Sequence, residues 1–370
     1  MNVFARRGPV GLYIHIPFCR HKCSYCDFAS MAGMEEWIEA YTDAVVRDLE
    51  GKAFLLADKS VASIFFGGGT PSLLEPDQVA RILEACRSGM AIKKDAEITL
   101  EMNPESVSRG KLAEYQSAGV NRASIGVQSL DDEQLEFLDR IHTADQAREA
   151  VEDVFRSGFD NVSVDMMFGL PGQTMKSWMA QLREIMSWGV RHVSLYQLTA
   201  EHGTPLGRRV ADGSVSLPDD GAEFFDASEA LLESFHFDHY EISNYARPGY
   251  ECSHNVGYWE NRDYLGVGAA AHSKLDGRRW ANGKSVESYI KETLRSGPTV
   301  VENEKLTPQM IETERLMLGL RLRRGVPVDE TAITTKIEQM IADGMLEIEE
   351  GRLRASRRGW RLLDSMLARL

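Results

Sequence analysis

No apolar run in the 370 residues approaches the ~18–20 needed to cross a bilayer as a helix. The first residues, Met1–Arg7, carry two arginines, but Pro9, His15 and Pro17 interrupt any apolar segment behind them, so no secretory leader is read. Positive charge is in deficit: 42 Lys and Arg face 56 Asp and Glu, a net charge of −14. That argues against broad electrostatic binding of nucleic acid or an anionic membrane. Cysteine is scarce and odd in number: Cys19, Cys23, Cys26, Cys86 and Cys252. An odd count with three crowded into eight residues is no disulfide framework; in a chain read as cytoplasmic it points to metal or redox chemistry. There is no fixed-period repeat and no low-complexity tract.

What is present is alternation. Apolar, β-branched runs occur at 12–16, 62–66, 97–101, 122–127, 161–167 and 192–198. Between them lie helical-period stretches at 34–52, 77–87, 106–118, 144–157 and 174–188. Six strands alternating with helices predict an α/β fold with a parallel sheet. The first and fourth crossovers are longer than the rest and have room for something extra. Unusual polar residues cluster at or just after the strand ends: 19–26, 67–70, Glu101 with Asn103, Gln128, Asp165 and Gln197. Six strand ends feeding one site suit a barrel or partial barrel better than an open sheet, which gathers its site at one switch point.

Past residue 205 the pattern changes. A linker at 217–220, a helix at 221–235 and a short strand at 239–242 precede a stretch, 249–283, rich in Gly, Asn and aromatics and without a clean period. From 306 onward, helices at 308–320 and 329–343, short runs at 345–348 and 352–355, and a helix at 358–370 give a winged-helix-like order. The expected divisions are 1–205, a partial (β/α)6 barrel; 206–305, an α+β extension; and 306–370, the winged-helix-like domain.

Cys19-Arg-His-Lys-Cys23-Ser-Tyr-Cys26 places three thiols in one tight loop. Zinc would want a fourth closing ligand, His15 or His21. A cubane cluster on three cysteines leaves one iron open. Spacing alone leaves the two evenly placed. The second strand ends in Gly67-Gly68-Gly69-Thr70-Pro71, which by itself is only a close backbone approach. The two motifs in this order resemble the radical S-adenosylmethionine (SAM) superfamily. The resemblance implies a 4Fe-4S cluster on Cys19, Cys23 and Cys26 whose open iron chelates SAM, a six-strand partial barrel, and one-electron cleavage of SAM.

Tyr13-Ile-His-Ile-Pro-Phe-Cys19, Glu101-Met-Asn-Pro104, Ser124-Ile-Gly-Val-Gln128, Leu138-Asp-Arg-Ile-His142, Asp165-Met-Met-Phe-Gly-Leu-Pro171 and Tyr196-Gln-Leu198 narrow this to the anaerobic coproporphyrinogen III dehydrogenase group. By that resemblance Tyr13, Tyr25, Gly68, Gly69, Thr70, Glu101, Gln128, Arg140 and Asp165 would contact SAM. Taken singly, Asp165 or Gln128 is an ordinary satisfied core polar group. The dehydrogenases carry a further Cys two residues after the third; here that residue is Phe28. They also carry an N-terminal covering arm, for which the eighteen residues before Cys19 are too few.

Both departures match the haem-chaperone branch of the group, as does His254-Asn-Val-Gly-Tyr-Trp259, an HNxxYW motif. The expected function is therefore haem binding and transfer to acceptor haemoproteins, respiratory and membrane-bound ones among them. Cluster and SAM would support folding, dimerisation into a homodimer, or regulated transfer. Oxygen-independent coproporphyrinogen III oxidation is the competing enzymatic reading, and no catalytic residue is singled out. His254 is the expected haem ligand, with Cys252, His272 or an intersubunit site as rivals. A lone His among aromatics is ordinarily a hydrogen-bonded structural residue. The arginines near the C-terminus face enough acid that a solvated or protein-docking surface is read there rather than DNA binding.

Overall fold

The computed structural model describes residues 8–219, 221–328 and 333–368. Six strands run parallel in the order in which they occur: β1 (Val10–Ile16), β2 (Ser60–Gly68), β3 (Ala91–Met102), β4 (Arg122–Gln128), β5 (Asn161–Phe168) and β6 (His192–Gln197). All six are the expected ones, with ends within a few residues except β3, which begins six earlier. Their outward residues, such as Leu100, Ile125 and Val164, are fully buried beneath helices. The inward row is polar: Glu101 pairs with Ser124, Ser124 with Ser163, and Ser163 with His192. A parallel sheet covered on both faces is what such near-continuous burial requires. The covering helices begin on the caps their sequences supply; the Thr143 and Thr174 side chains accept N–H bonds from Gln146 and Ser177. The fourth crossover holds two helices, Asp132–Phe137 and Ala144–Arg156, and the turn between them carries Arg140.

The stretch 206–305 is not a separate layer. Asn244–Ala246 and Asp238–Glu241 continue the sheet beyond β6, antiparallel. Tyr264–Val267 lies parallel to the outer side of β1, a seventh parallel strand that the sequence pattern does not show, and three antiparallel strands follow it to a total of twelve. Within this stretch Ser253–Trp259, expected as loop, is a helix. The stretch lacks a clean period because its strands are three to six residues long and alternate with tight turns.

The C-terminal part has a core of its own, built on Leu320, Ile337, Leu353, Trp360 and Met366. Its helix Pro308–Gly319, helix Thr335–Ala342 and hairpin Leu346–Glu349 with Arg352–Ala355 give the winged-helix-like order. Residues 329–332 of the expected second helix, and 369–370, lie outside the described residues. The expected single helix at 358–370 is two short pieces, Arg357–Arg361 and Leu363–Leu367. Among the described residues no helix is long and apolar enough to cross a membrane.

Trp178 anchors the outer helical layer. It is fully buried, its indole N–H donates to Ser228 Oγ at 2.8 Å, and its ring meets Phe168 and Phe224. Trp178→Ala removes that volume and the donor to Ser228, whose hydroxyl keeps its own bond to Phe224 O at 2.6 Å, so urea unfolding should show a loss of ~3–5 kcal/mol. A loss under ~1 kcal/mol would contradict this packing.

Candidate functional site

The loop after β1 is closed at its base by a two-residue parallel ladder in which Phe18 pairs with Met31 and Cys19 with Ala32. Lys22 fastens it from within, donating to the carbonyls of Phe28 and Ser30, each at 2.9 Å. The thiols of Cys19, Cys23 and Cys26 are free and face one cavity. Across from them the glycine turn binds back to the loop: Gly69 N–H donates to Ile16 O and Thr70 N–H to Phe18 O, both at 2.7 Å. Gly68 has φ +117°. A Cβ on Gly69 would stand 2.5 Å from Phe18 O and 3.0 Å from Cys19 Sγ. Only glycine lets the two loops approach this closely.

The other strand ends close the ring. Glu101 Oε2 accepts the Gly68 N–H at 3.2 Å, and Asn103 Nδ2 donates to Thr70 Oγ1 at 3.2 Å. Arg140 donates to Asn103 Oδ1 at 3.0 Å and Gly126 O at 2.8 Å, and reaches Cys23 Sγ at 3.6 Å. Its Nε is buried without a hydrogen-bond partner. Gln128, at the end of β4, adopts φ +67°, a left-handed conformation that glutamine seldom takes. Strain of this kind collects at functional sites.

The cavity is electrostatically prepared. Burial, then the nearby charge of Asp165, pushes the Glu101 carboxyl up to about 8. Burial also raises Asp165, against the pull of Ser194, Arg122 and Ser124. Two carboxyls with raised pKa values in one cavity favour a cationic ligand. Burial raises the Cys23 thiol, and Arg140 opposes it. Among the described residues no set of three or more Cys, His, Asp and Glu side chains is drawn closely enough about one point for a single metal ion.

Eleven expected side chains or glycines meet here: Cys19, Cys23, Cys26, Tyr25, Gly68, Gly69 and Thr70 from the loops, with Glu101, Gln128 and Asp165 from the strands and Arg140 from the crossover. Tyr13 does not line the cavity. Its hydroxyl bonds His15 Nδ1 at 2.9 Å, and its ring lies against Phe65 and His254 inside the barrel. Ser124, Asn103 and Lys22 were not singled out as ligand contacts; Asn103 was noted at a strand end, but its bridging role depends on three-dimensional proximity.

His254 is also away from the cavity. It is buried on the helix Ser253–Trp259, with Nδ1 bonded to Ser63 Oγ at 2.9 Å and Nε2 to Tyr258 OH at 3.0 Å. Burial lowers it to about 3, so the ring is neutral. Both nitrogens are taken, which is the structural role weighed against iron ligation; a ligand role for it requires breaking one of these bonds. Of its rivals, Cys252 is buried beside Glu97, and His272 is exposed on the strand His272–Leu275, which is paired on both sides.

A parallel partial barrel with three free thiols opposite a glycine turn at its mouth defines a radical SAM protein. The Radical SAM superfamily model matches residues 13–185, and the HemN C-terminal domain model matches 306–362. The structure superposes on coproporphyrinogen III oxidase (HemN) from Escherichia coli with a TM-score of 0.84, covering 99% of this chain and 91% of that one at 21% identity, which establishes the shared fold. Among relatives, the heme chaperone HemW of Mycobacterium tuberculosis is 35% identical over 98% of this chain and 95% of its own length. HemW of Escherichia coli is 41% identical over 73% of this chain and 72% of its own. The mitochondrial radical S-adenosyl methionine domain-containing protein 1 of Bos taurus is 36% identical, covering 97% and 86%. This chain belongs to the HemW family.

Radical SAM membership implies a 4Fe-4S cluster and SAM. The residues present fit both: three uncommitted thiols on one loop, a backbone turn open only to glycine, and two carboxyls awaiting a cation.

Proposed function

We propose that the protein is a haem chaperone: it binds haem and passes it to acceptor haemoproteins. The observation that supports this most strongly is the 35% identity to a heme chaperone along nearly the whole of both chains. Phe28 adds to it. The dehydrogenases of the group are expected to hold a cysteine there; this side chain is 61% exposed on the rim of the thiol cavity. Soret-monitored titration of haem into the purified protein tests the reading; saturation near one per chain supports it, and absence of binding ends it. Membrane-bound respiratory acceptors and a homodimer belong to the same proposal.

Cys19, Cys23 and Cys26 would hold the cluster, which when bound supplies one-electron chemistry and chelates SAM. Arg140 would offset thiolate charge, the Gly68–Thr70 turn would approach the amino acid end of SAM, and Glu101 and Asp165 would face its positive charge. Tyr25 and Gln128 would complete the wall.

Proton release on SAM binding is the expected consequence. Burial pushes the Glu101 carboxyl up to about 8, above its ordinary 4.5. A carboxyl raised by folding contributes stability that is full below ~4.5 and is lost as pH climbs through about 8. A cationic ligand favours the ionised form, so a proton leaves near pH 7 and SAM affinity rises toward pH 8. Calorimetry in two buffers of different ionisation heat reads this directly. Glu101→Ala should weaken SAM about tenfold or more, as expected for a hydrogen bond to a charged group, and should remove the Glu101 share of the buffer dependence. Unchanged affinity in both Glu101→Ala and Asp165→Ala would contradict the site.

A further inference from the structure

The helix Ser253–Trp259 has two faces. His254 and Tyr258 turn into the barrel, while Ser253 and Val256 border a cavity of about 710 Å³ between the sheet edge and the C-terminal part. This volume suits a drug-sized ligand. No residue of the cavity also lines the thiol site. Phe237, Tyr240, Val256 and Leu322 give it apolar walls, and Arg262, Arg323, Arg324 and Arg354 give it positive charge.

Positive charge is short in this chain, which makes its distribution here informative. Arg262 and Arg324 share the single carboxylate of Glu260. Arg323 and Arg357 share Glu229, at 3.5 and 2.8 Å, and His239 makes a third claim on it at 3.3 Å. Of these four cavity arginines, Arg354 alone meets two carboxylates among the described residues, Glu347 and Glu349. Glu233, Asp238 and Glu251 also border the cavity, and Glu251 accepts the Gly249 N–H at 3.0 Å. Arg323 and Arg324 are about half exposed, at 46% and 53%, so guanidinium N–H groups remain for a ligand. A guanidinium grips a carboxylate bidentately, and two of them on neighbouring residues suit a dicarboxylate with a flat apolar body.

We infer that this cavity seats the haem, its macrocycle against Val256, Phe237 and Leu322 and its two propionates on Arg323 and Arg324. The inference rests on the haem-chaperone reading and gives it a site that His254 does not. It also gives the HNxxYW helix a role in haem binding through its outer face, with His254 and Tyr258 fixing the helix from within.

The test uses the full chain with haem and, as a probe without carboxylates, iron protoporphyrin dimethyl ester. Wild-type protein should bind haem saturably near one per chain and the diester at least tenfold more weakly. Arg324→Glu, at an exposed position, should weaken haem at least tenfold. Val256→Trp should do the same by filling the cavity while leaving every charge in place. SAM affinity, read at the other cavity, serves as the folding control and should stay unchanged in both variants. Wild-type haem affinity in both variants would overturn the cavity and leave the chaperone reading standing. Equal affinity for haem and diester would overturn the propionate contacts. No haem binding by the wild type would end the chaperone reading and the cavity with it.

Discussion

Cys23→Ser should lose its iron and acid-labile sulfide to background after anaerobic reconstitution, and with them its binding of SAM. Cys23 is held at the turn in which Cys26 N–H donates to Cys23 O at 3.2 Å, and its sulfur is the one that Arg140 reaches. A serine hydroxyl, protonated at neutral pH and a harder donor, is a far weaker ligand for cluster iron than a thiolate. The Ser variants of Cys19 and Cys26 should behave alike. Cys86→Ser and Cys252→Ser should keep the cluster, since both thiols are buried elsewhere, Cys86 on the buried face of helix Pro76–Gly89 and Cys252 beside Glu97. Full native-like iron in the Cys23 variant would remove the cluster from this loop. Stoichiometric zinc in the wild type would replace iron as its metal.

Gly69→Ala should have almost as large an effect from a single methyl group. Its Cβ meets backbone, Phe18 O at 2.5 Å and Pro17 C at 2.9 Å, as well as the sulfur of Cys19 at 3.0 Å. Backbone cannot step aside as a flexible side chain can, so the turn and the cysteine loop must separate. Overpacking of this kind costs ~1–3 kcal/mol, small enough for the fold to survive. The damage falls on the site: SAM affinity should drop at least tenfold, with reduced iron content. Gly110→Ala is the matched control, because nothing lies within 4 Å of its Cβ on the helix Arg109–Ala118. That variant should be neutral or stabilised by up to ~1 kcal/mol. If Gly69→Ala bound SAM as the wild type does, the close approach of the two loops would have no functional meaning.

The barrel was legible in the sequence because its signals are local. Six β-branched runs separated by helices of 3.6-residue period leave few other arrangements, and the Cys19–Cys26 and Gly67–Pro71 motifs sit directly after the first two. The site was legible for the same reason: each contributor follows a strand end, so order along the chain becomes position around the mouth. Tyr13 shows the limit of this logic. It lies in register with the motif, yet strand alternation and the His15 imidazole hold it below the cavity. The stretch 249–283 was illegible because its strands Tyr264–Val267 and His272–Leu275 are too short to show a period, and the first of them pairs with β1, some 250 residues earlier. His254 misled for a related reason: the HNxxYW string reads as loop when Ser63, and Glu97, which accepts the His254 backbone N–H at 3.1 Å, are unseen. Both hydrogen bonds that fix it are long-range or helical, and neither is written in the motif.

The central claim is haem delivery without porphyrin oxidation. The most direct measurement loads the reconstituted protein with haem, mixes it anaerobically with an apo-haemoprotein, and follows the acceptor's Soret band, alongside incubation of the protein with reductant, SAM and coproporphyrinogen III. The account predicts transfer of haem to the acceptor faster than from haem-loaded albumin, and no protoporphyrinogen. Formation of protoporphyrinogen, with no transfer of haem, would contradict it and make the protein a coproporphyrinogen oxidase.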